Sequence, residues 1–546
     1  MEKRFKWSYY LVIALLLLPW IANGIYAESS PLYLDSIFTF GAGAKLYLTG
    51  HHSTTFMLYG LINPYILERF LVSGLGPDAP VALRLTQLLY VFGTMWLCGC
   101  CVNLIVTGQT RKRSILTTLM VMLSSTVLLR ESLEVVPEPG LLLSLALLMY
   151  AALKPHTKYY SAELLAGFSI GLMTGFRPVG FLLAIPFFLI LPDKFSGESG
   201  AKTWRWGLLT TACLIPVLMS VRDAVPFTGL VTTVTILFCV WTVLFLILDI
   251  VKGKWKVWAG NAVAVITAIA VIYAFFPQYF NHFDIMLEQI NSYHTQRENP
   301  VGSIPGLLWN LLISLAYLVI AFPGPLGFAG ILVFLGMLFR QRQPAGGKTI
   351  LLVFAGLMPF VLTVCRNTNY QSRYLIPVSA FFAVISAIGF LRIADQRKFH
   401  VLLLVPLLLS VTQLGETLLN MSSAGSILTT LRELSDHPPG TVTVLNIGPC
   451  TPDYYDEIDP VFYPLVPYVS PFYHRASPLN SMYCVSFGEL PEGFIPVSSN
   501  GYMDMENEMM IRNSENERWS SFISVVRKPH LWRNWGISIL GVRSDG

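Results

Sequence analysis

Thr107-Gly108-Gln109-Thr110-Arg111-Lys112-Arg113 closes an apolar run that begins near Pro80, and this junction decides the class of fold. The run, 80–106, is longer than the roughly 20 apolar residues a helix needs to cross a bilayer. The basic residues at its end mark a cytoplasmic loop, because short Lys/Arg-rich loops stay inside. The composition agrees: 54% of the 546 residues are hydrophobic and 13% charged, and the mean hydropathy is +0.57. An ordinary soluble domain is about 25% charged. The net charge of +5 collects in short loops, where it reports membrane orientation. No basic, aromatic-studded soluble face exists for a nucleic acid. The chain reads as an α-helical, polytopic membrane protein.

Towards the N-terminus, Gly74-Leu75-Gly76-Pro77 breaks the pattern ahead of this span. Residues 36–79 mix Phe38, Phe40, Leu46, Tyr47, Phe56, Leu58, Tyr59 and Phe70 with polar groups, a composition suited to amphipathic helices on the membrane surface. Before them, the basic start Met1-Glu2-Lys3-Arg4-Phe5-Lys6 leads into an apolar run to about Ala27. Gly24-Ile25-Tyr26-Ala27 has the look of a signal-peptidase site, but an uncleaved helix would anchor the loop that follows. Either way the basic start stays inside. Tyr33-Leu34-Asp35-Ser36 then emerges outside, with Asp35 its acid.

Towards the C-terminus the spans pair off. One runs outward over 114–129, Arg130 to Pro139 forms an external loop, and a return span ends at Lys154-Pro155-His156-Thr157-Lys158. The next rises to Phe176-Arg177-Pro178 and its successor descends to Asp193-Lys194. Spans near 207–221 and 229–250 bracket an external Arg222-Asp223, and another over 257–275 leads to an external loop, 276–305. There Phe283, Met286, Leu287 and Ile290 have the spacing of a short amphipathic helix. Residues 306–339 are broken by Phe322-Pro323-Gly324-Pro325; one net crossing keeps Arg340 and Arg342 inside. Spans at 349–364, 374–391 and 400–418 complete roughly thirteen crossings, with the N-terminus inside and the C-terminus outside. Residues 1–420 thus form a membrane domain and 421–546 a small extracytoplasmic α+β domain, in which Thr441-Val442-Thr443-Val444-Leu445 reads as a strand. Cys98, Cys100 and Cys101 read as buried thiols in a span. Cys450 and Cys484, both in the tail, are placed to bond if the tail is external.

Four charged residues lie within a few positions of external helix ends: Asp35, Glu138, Arg177 and Arg373. A charge at mid-bilayer costs about 2.5–3.5 kcal/mol on insertion scales, so groups near the interface face a cavity or a partner. Either arginine alone could be a snorkelling anchor. Arg177 precedes Pro178-Val179-Gly180, which places it at a helix start, and Arg373 opens a span. Moving a sugar from a lipid phosphate to a hydroxyl needs one base to deprotonate the acceptor. The phosphate departs as an anion and needs cations, for which arginine has the matching geometry. An acid with two arginines at the interface supplies these parts.

The order of elements resembles the polyprenyl-phosphate-dependent glycosyltransferases of GT-C fold, nearest the lipid A aminoarabinose transferase and protein O-mannosyltransferase-like families. The likeness rests on Asp35 in the first external loop, Leu83-Arg84-Leu85 opening the second span, and Ser372-Arg373-Tyr374-Leu375-Ile376-Pro377 late in the chain. It covers about residues 1–420; the tail is not matched to it. The resemblance implies an inverting transferase with Asp35 as general base. It implies donor-phosphate contacts from Arg373, Arg177 and Tyr374, and Glu138 as a supporting acid of the second external loop. The implied partners are a polyprenyl-phosphate-linked sugar, a hydroxyl acceptor (lipid, glycan or protein) and the bilayer. Many of these families carry Asp-Glu in the first loop; here Ser36 follows Asp35. No metal ligands are assigned for that reason, although a divalent metal stays open. The lysine that the aminoarabinose enzymes carry near the start of that loop's second half is also missing, so the sugar does not carry over.

Rival readings are a transporter or flippase of lipid-linked sugars, a glycan ligase, and a scaffold. A transporter would show inverted repeats and deeper charges; neither is visible. A ligase needs a larger external loop than 276–305. No Ser or Cys stands in a Gly-rich elbow, and His51-His52 reads as polar loop.

Overall fold

Uncharged runs become helices because, inside lipid, each backbone N–H and C=O must be satisfied within its own segment. The computed structural model describes chiefly residues 2–25, 60–75, 79–106, 110–132, 135–154, 160–184, 255–286, 304–320, 323–341, 375–393 and 403–412. It also describes the strand segments 442–445, 483–487, 492–504 and 534–544, with isolated positions elsewhere. The helices are α1 (Glu2–Ile25), α2 (Ile62–Val72), α3 (Ala79–Ile105), α4 (Arg111–Leu123), α5 (Thr126–Glu131), α6 (Pro137–Leu153) and α7 (Ser161–Phe176). After a 3-10 turn over Pro178–Ala184 come α8 (Trp255–Phe275), α9 (Gln278–Asn281), α10 (Ile304–Ile320), α11 (Gly324–Gln341) and α12 (Ile376–Ile393). Among the described residues, Val81–Ile105 and Ile376–Ile393 are long and apolar enough to cross a membrane; Tyr10–Ile25, Pro137–Leu153, Ser161–Phe176 and Ala259–Phe275 are shorter apolar helices.

The centre of the bundle is α12, buried almost without a break from Ile376 to Leu391. It packs on α3, α4, α6 and α11, and Cys98 Sγ of α3 lies 3.9 Å from Ala380 O. Contacts along the other helices fix their relative directions. Along α1, Tyr10 sits 5.5 Å from Lys112 Nζ. Trp20 Nε1 donates to Leu123 O at 3.0 Å and Asn23 Nδ2 to Leu129 O at 2.8 Å. Both sequences rise together, so α1 and α4 are parallel. Similarly, a Cβ on Gly167 would meet Ala264 O, one on Gly171 would meet Val271 and one on Gly175 would meet Phe276. Helices α7 and α8 are therefore parallel too, the relation that an odd number of crossings between them would give. Three were expected there.

That Gly167/Gly171/Gly175 stripe has a physical reason. Apolar helices in lipid gain nothing from hydrophobic burial against one another, so they associate through close van der Waals contact, which small residues permit. Gly330 of α11 and Gly389 of α12 meet on the same principle: a Cβ on Gly389 would stand 2.3 Å from Gly330 O. At its start α11 touches the end of α4. Ser124 Oγ lies 3.5 Å from Pro323 O, a Cβ on Gly324 would fall 2.8 Å from Ser124 O, and one on Gly327 would fall 3.4 Å from Val121 Cγ1. Helix α11 thus runs opposite to α4.

The C-terminal segment holds a four-stranded sheet of order β1-β2-β4-β3: β1 Val442–Leu445, β2 Tyr483–Phe487, β3 Phe494–Asp504 and β4 Asn534–Arg543. The strand expected at 441–445 is β1; it pairs parallel to β2, while β4 is antiparallel to both β2 and β3.

The structure amends three expectations. The external loop at Arg130–Pro139 is shorter, because α5 continues to Glu131 and α6 begins at Pro137. Arg177 caps the end of α7 as well as opening the 3-10 turn after it, where its carbonyl accepts from Gly180 N at 2.7 Å. In the 276–305 loop, residues 283–286 are helical as the spacing predicts, but of that face Met286 packs against the core while Phe283 is exposed. Asp35, Arg373, Tyr374 and Cys450, and most of the spans at 207–221, 229–250 and 349–364, lie outside the described residues.

Candidate functional site

The starts of α2 and α6, the end of α7 and the first third of α3 meet at one end of the bundle. Two local rules place an acid and a base there. At α6, Val136 is the N-cap and Pro137 opens the helix, where its missing N–H costs no hydrogen bond. Glu138 follows in the first turn, the end at which the helix dipole favours negative charge. At α7, Pro178 disfavours helical geometry in the residue before it. Arg177 is accordingly extended, with φ −152° and ψ 122°, at the end where the dipole favours a cation.

These two termini bring the side chains together. Arg177 Nη1 donates to Glu138 Oε1 at 2.8 Å, with side-chain exposures of 20% and 4% respectively. Two residues expected at the site on separate grounds therefore form a partly buried ion pair. The pair sits on a packed floor: Phe176 meets Tyr90 edge-on at 5.3 Å, and a Cβ on Gly140 would overlap the Phe176 ring. One cation is held in place and still reaches solvent.

The loop that carries Asp35 ends against this pair. Leu61 N donates to Gly175 O at 2.8 Å. Gly60, at φ +89°, is so close that a Cβ would stand 2.0 Å from Phe176 O. Only glycine meets both demands, a left-handed backbone and no side chain. The loop's other end is tied by Asn23 at the top of α1, which bonds Leu129 O and approaches Ser132 Oγ at 3.4 Å. Both ends of the segment between α1 and α2 are thus fixed to the bundle, one of them beside Arg177.

A second polar group went unread in the sequence. Gln87 Nε2 donates to Asn63 Oδ1 at 3.2 Å, and Asn63 Nδ2 donates to Val136 O at 3.2 Å. Gln87 and Asn63 are both buried, as is Arg84 one turn before Gln87. Polar residues three apart on one face of an otherwise apolar span were the available signal. Glu131 is also fully buried, at the end of α5. Among the described residues no three His, Cys, Asp or Glu side chains come together as a metal site.

The whole chain is similar in fold to the crystal structure of ArnT from Cupriavidus metallidurans bound to undecaprenyl phosphate. The TM-score is 0.51 at 10% sequence identity, covering 98% of this chain and 98% of that one. The archaeal oligosaccharyltransferase AglB from Archaeoglobus fulgidus, in complex with an inhibitory peptide and a dolichol-phosphate, aligns at TM-score 0.44 and 13% identity. That alignment covers 88% of this chain and 70% of AglB. The apo state of the same ArnT gives 0.43 at 11% identity, covering 98% and 97%. No protein-family model matches the chain, and no curated protein matches it significantly in sequence. The fold is of GT-C type.

Proposed function

We propose that this chain is an integral membrane glycosyltransferase that moves a sugar from a polyprenyl phosphate to a hydroxyl acceptor on the extracytoplasmic face. The observation that carries the reading is the end-to-end fold likeness to ArnT solved with undecaprenyl phosphate. The Glu138–Arg177 pair at the helix ends supports it. In this reading about thirteen helices cross the membrane, the N-terminus is inside, and the site and the C-terminal sheet are outside.

Asp35 takes the proton of the acceptor hydroxyl. The acceptor oxygen forms its bond to the anomeric carbon as the bond from that carbon to the phosphate oxygen breaks. The electron pair leaves with the polyprenyl phosphate, and the configuration inverts. Arg177, Arg373 and Tyr374 contact the phosphate, where arginine's planar donors stabilise the growing charge. Glu138 supports the reaction by fixing the Arg177 guanidinium. The prenyl tail stays in lipid.

The test is transfer from a panel of radiolabelled polyprenyl-phosphate sugars in membranes, comparing wild type with Asp35→Asn at equal insertion. One donor is expected to be used, and the variant is expected to bind it without transfer. Equal transfer by both proteins would remove Asp35 from the mechanism.

A further inference from the structure

The polarity of the buried relay is forced from one end. Val136 O is a carbonyl and can only accept, so Asn63 must present its NH2 to it and its oxygen to the other side. Gln87 must then present its NH2 to Asn63, which leaves Gln87 Oε1 as the terminal group. That oxygen is buried and has no hydrogen-bond partner among the described residues. Two positions along from Val136, Glu138 repeats the pattern. Its Oε1 takes Arg177, and its Oε2 is buried with no hydrogen-bond partner among the described residues. The junction therefore holds two buried oxygens that can only accept, beside an arginine whose side chain is 20% exposed.

An oxygen left unsatisfied in an apolar surround carries its full desolvation penalty, so the chemistry that fits is one that brings donors. A phosphate does not, because its oxygens accept and its charge repels a carboxylate. Sugar hydroxyls do. Resting on the reading above, we propose that Gln87 and Glu138, with Asn63 setting the polarity, form the sugar-recognition subsite of the donor. Gln87 Oε1 and Glu138 Oε2 accept hydrogen bonds from ring hydroxyls, while Arg177 beside them meets the phosphate one bond from the anomeric carbon. The two halves of the donor are read by opposite chemistry, acceptors for the sugar and donors for the phosphate.

The experiment measures binding of two probes to the full-length protein in nanodiscs. One is bare undecaprenyl phosphate; the other is a set of undecaprenyl-phosphate sugars bearing glucose, mannose or arabinose, with their monodeoxy analogues. Wild type is expected to bind one sugar-bearing lipid more tightly than the bare one. Gln87→Met keeps the volume and removes the acceptor. It is expected to lose about tenfold of that advantage, equivalent to about 1.4 kcal/mol, and to bind bare undecaprenyl phosphate unchanged. One monodeoxy analogue is expected to bind wild type about tenfold more weakly and the variant no differently from its parent sugar.

A full sugar advantage in Gln87→Met overturns the subsite and leaves ordered water as the partner of that oxygen. Equal loss of both probes also overturns it, showing a structural role. Should Gln87→Met not insert, wild type still decides: monodeoxy lipids that all bind like their parents overturn the proposal. Wild type that binds no polyprenyl phosphate at all overturns the glycosyltransferase reading itself.

Discussion

At the residue scale the Glu138–Arg177 pair is a joint of two helices as well as a piece of a site. Glu138 is nearly fully buried, so removing its partner leaves a carboxylate charge without compensation. Such losses cost about 3–5 kcal/mol. Arg177→Ala is therefore expected to lower the thermal unfolding temperature in detergent markedly. Glu138→Leu combined with Arg177→Met is expected to recover most of that loss without recovering transfer, because a well-packed apolar pair replaces a buried ion pair at little cost. A double variant as unstable as Arg177→Ala would show that the pair holds more than itself together. Both residues stood out in the sequence by position, but their contact could not be read there. They are 39 positions apart, and only the docking of α6 on α7 makes them neighbours.

At the element scale, α7 and α8 are held by the glycine stripe. Ala264 O would lie 2.3 Å from a Cβ on Gly167, and a backbone carbonyl cannot rotate away. Gly167→Ala is thus expected to cost about 1–3 kcal/mol as an overpacked contact, and a denaturation series in detergent reads it. Gly336 of α11 is the opposite case, since a Cβ there meets nothing within 4 Å. Gly336→Ala is expected to be neutral or to raise stability by up to about 1 kcal/mol, the helix-propensity difference. If the two substitutions behaved alike, close approach would not be what fastens α7 to α8. The spans themselves were legible from hydropathy. The stripe's partner was not, because nothing in a helix's own sequence says which neighbour its small face will meet.

At the scale of the molecule, the parallel pairs α1/α4 and α7/α8 constrain the topology independently of loop charge. With the N-terminus inside, alkaline phosphatase fused after His282 or at the C-terminus is expected to be active, and a fluorescent protein at the same points dark. The reverse pattern would turn the site towards the cytoplasm. Deleting 430–546 is expected to alter acceptor choice more than donor binding, since in this reading the sheet stands over the external face. Unchanged acceptor selectivity in the truncated protein would take that role from the tail. The sequence by itself determined that the apolar runs around α3, α6, α7, α8 and α12 are helices, that 442–445 is a strand, and that Glu138 and Arg177 stand at helix ends. These follow from composition within a few turns of chain, where solvent and lipid act on each segment alone. Only the tertiary structure decided that Arg177 ends a helix and grips Glu138, that Gly60 pins the first loop beside them, and that Asn63 and Gln87 form a buried relay. Each depends on backbone packing between segments distant in sequence, which local composition does not encode.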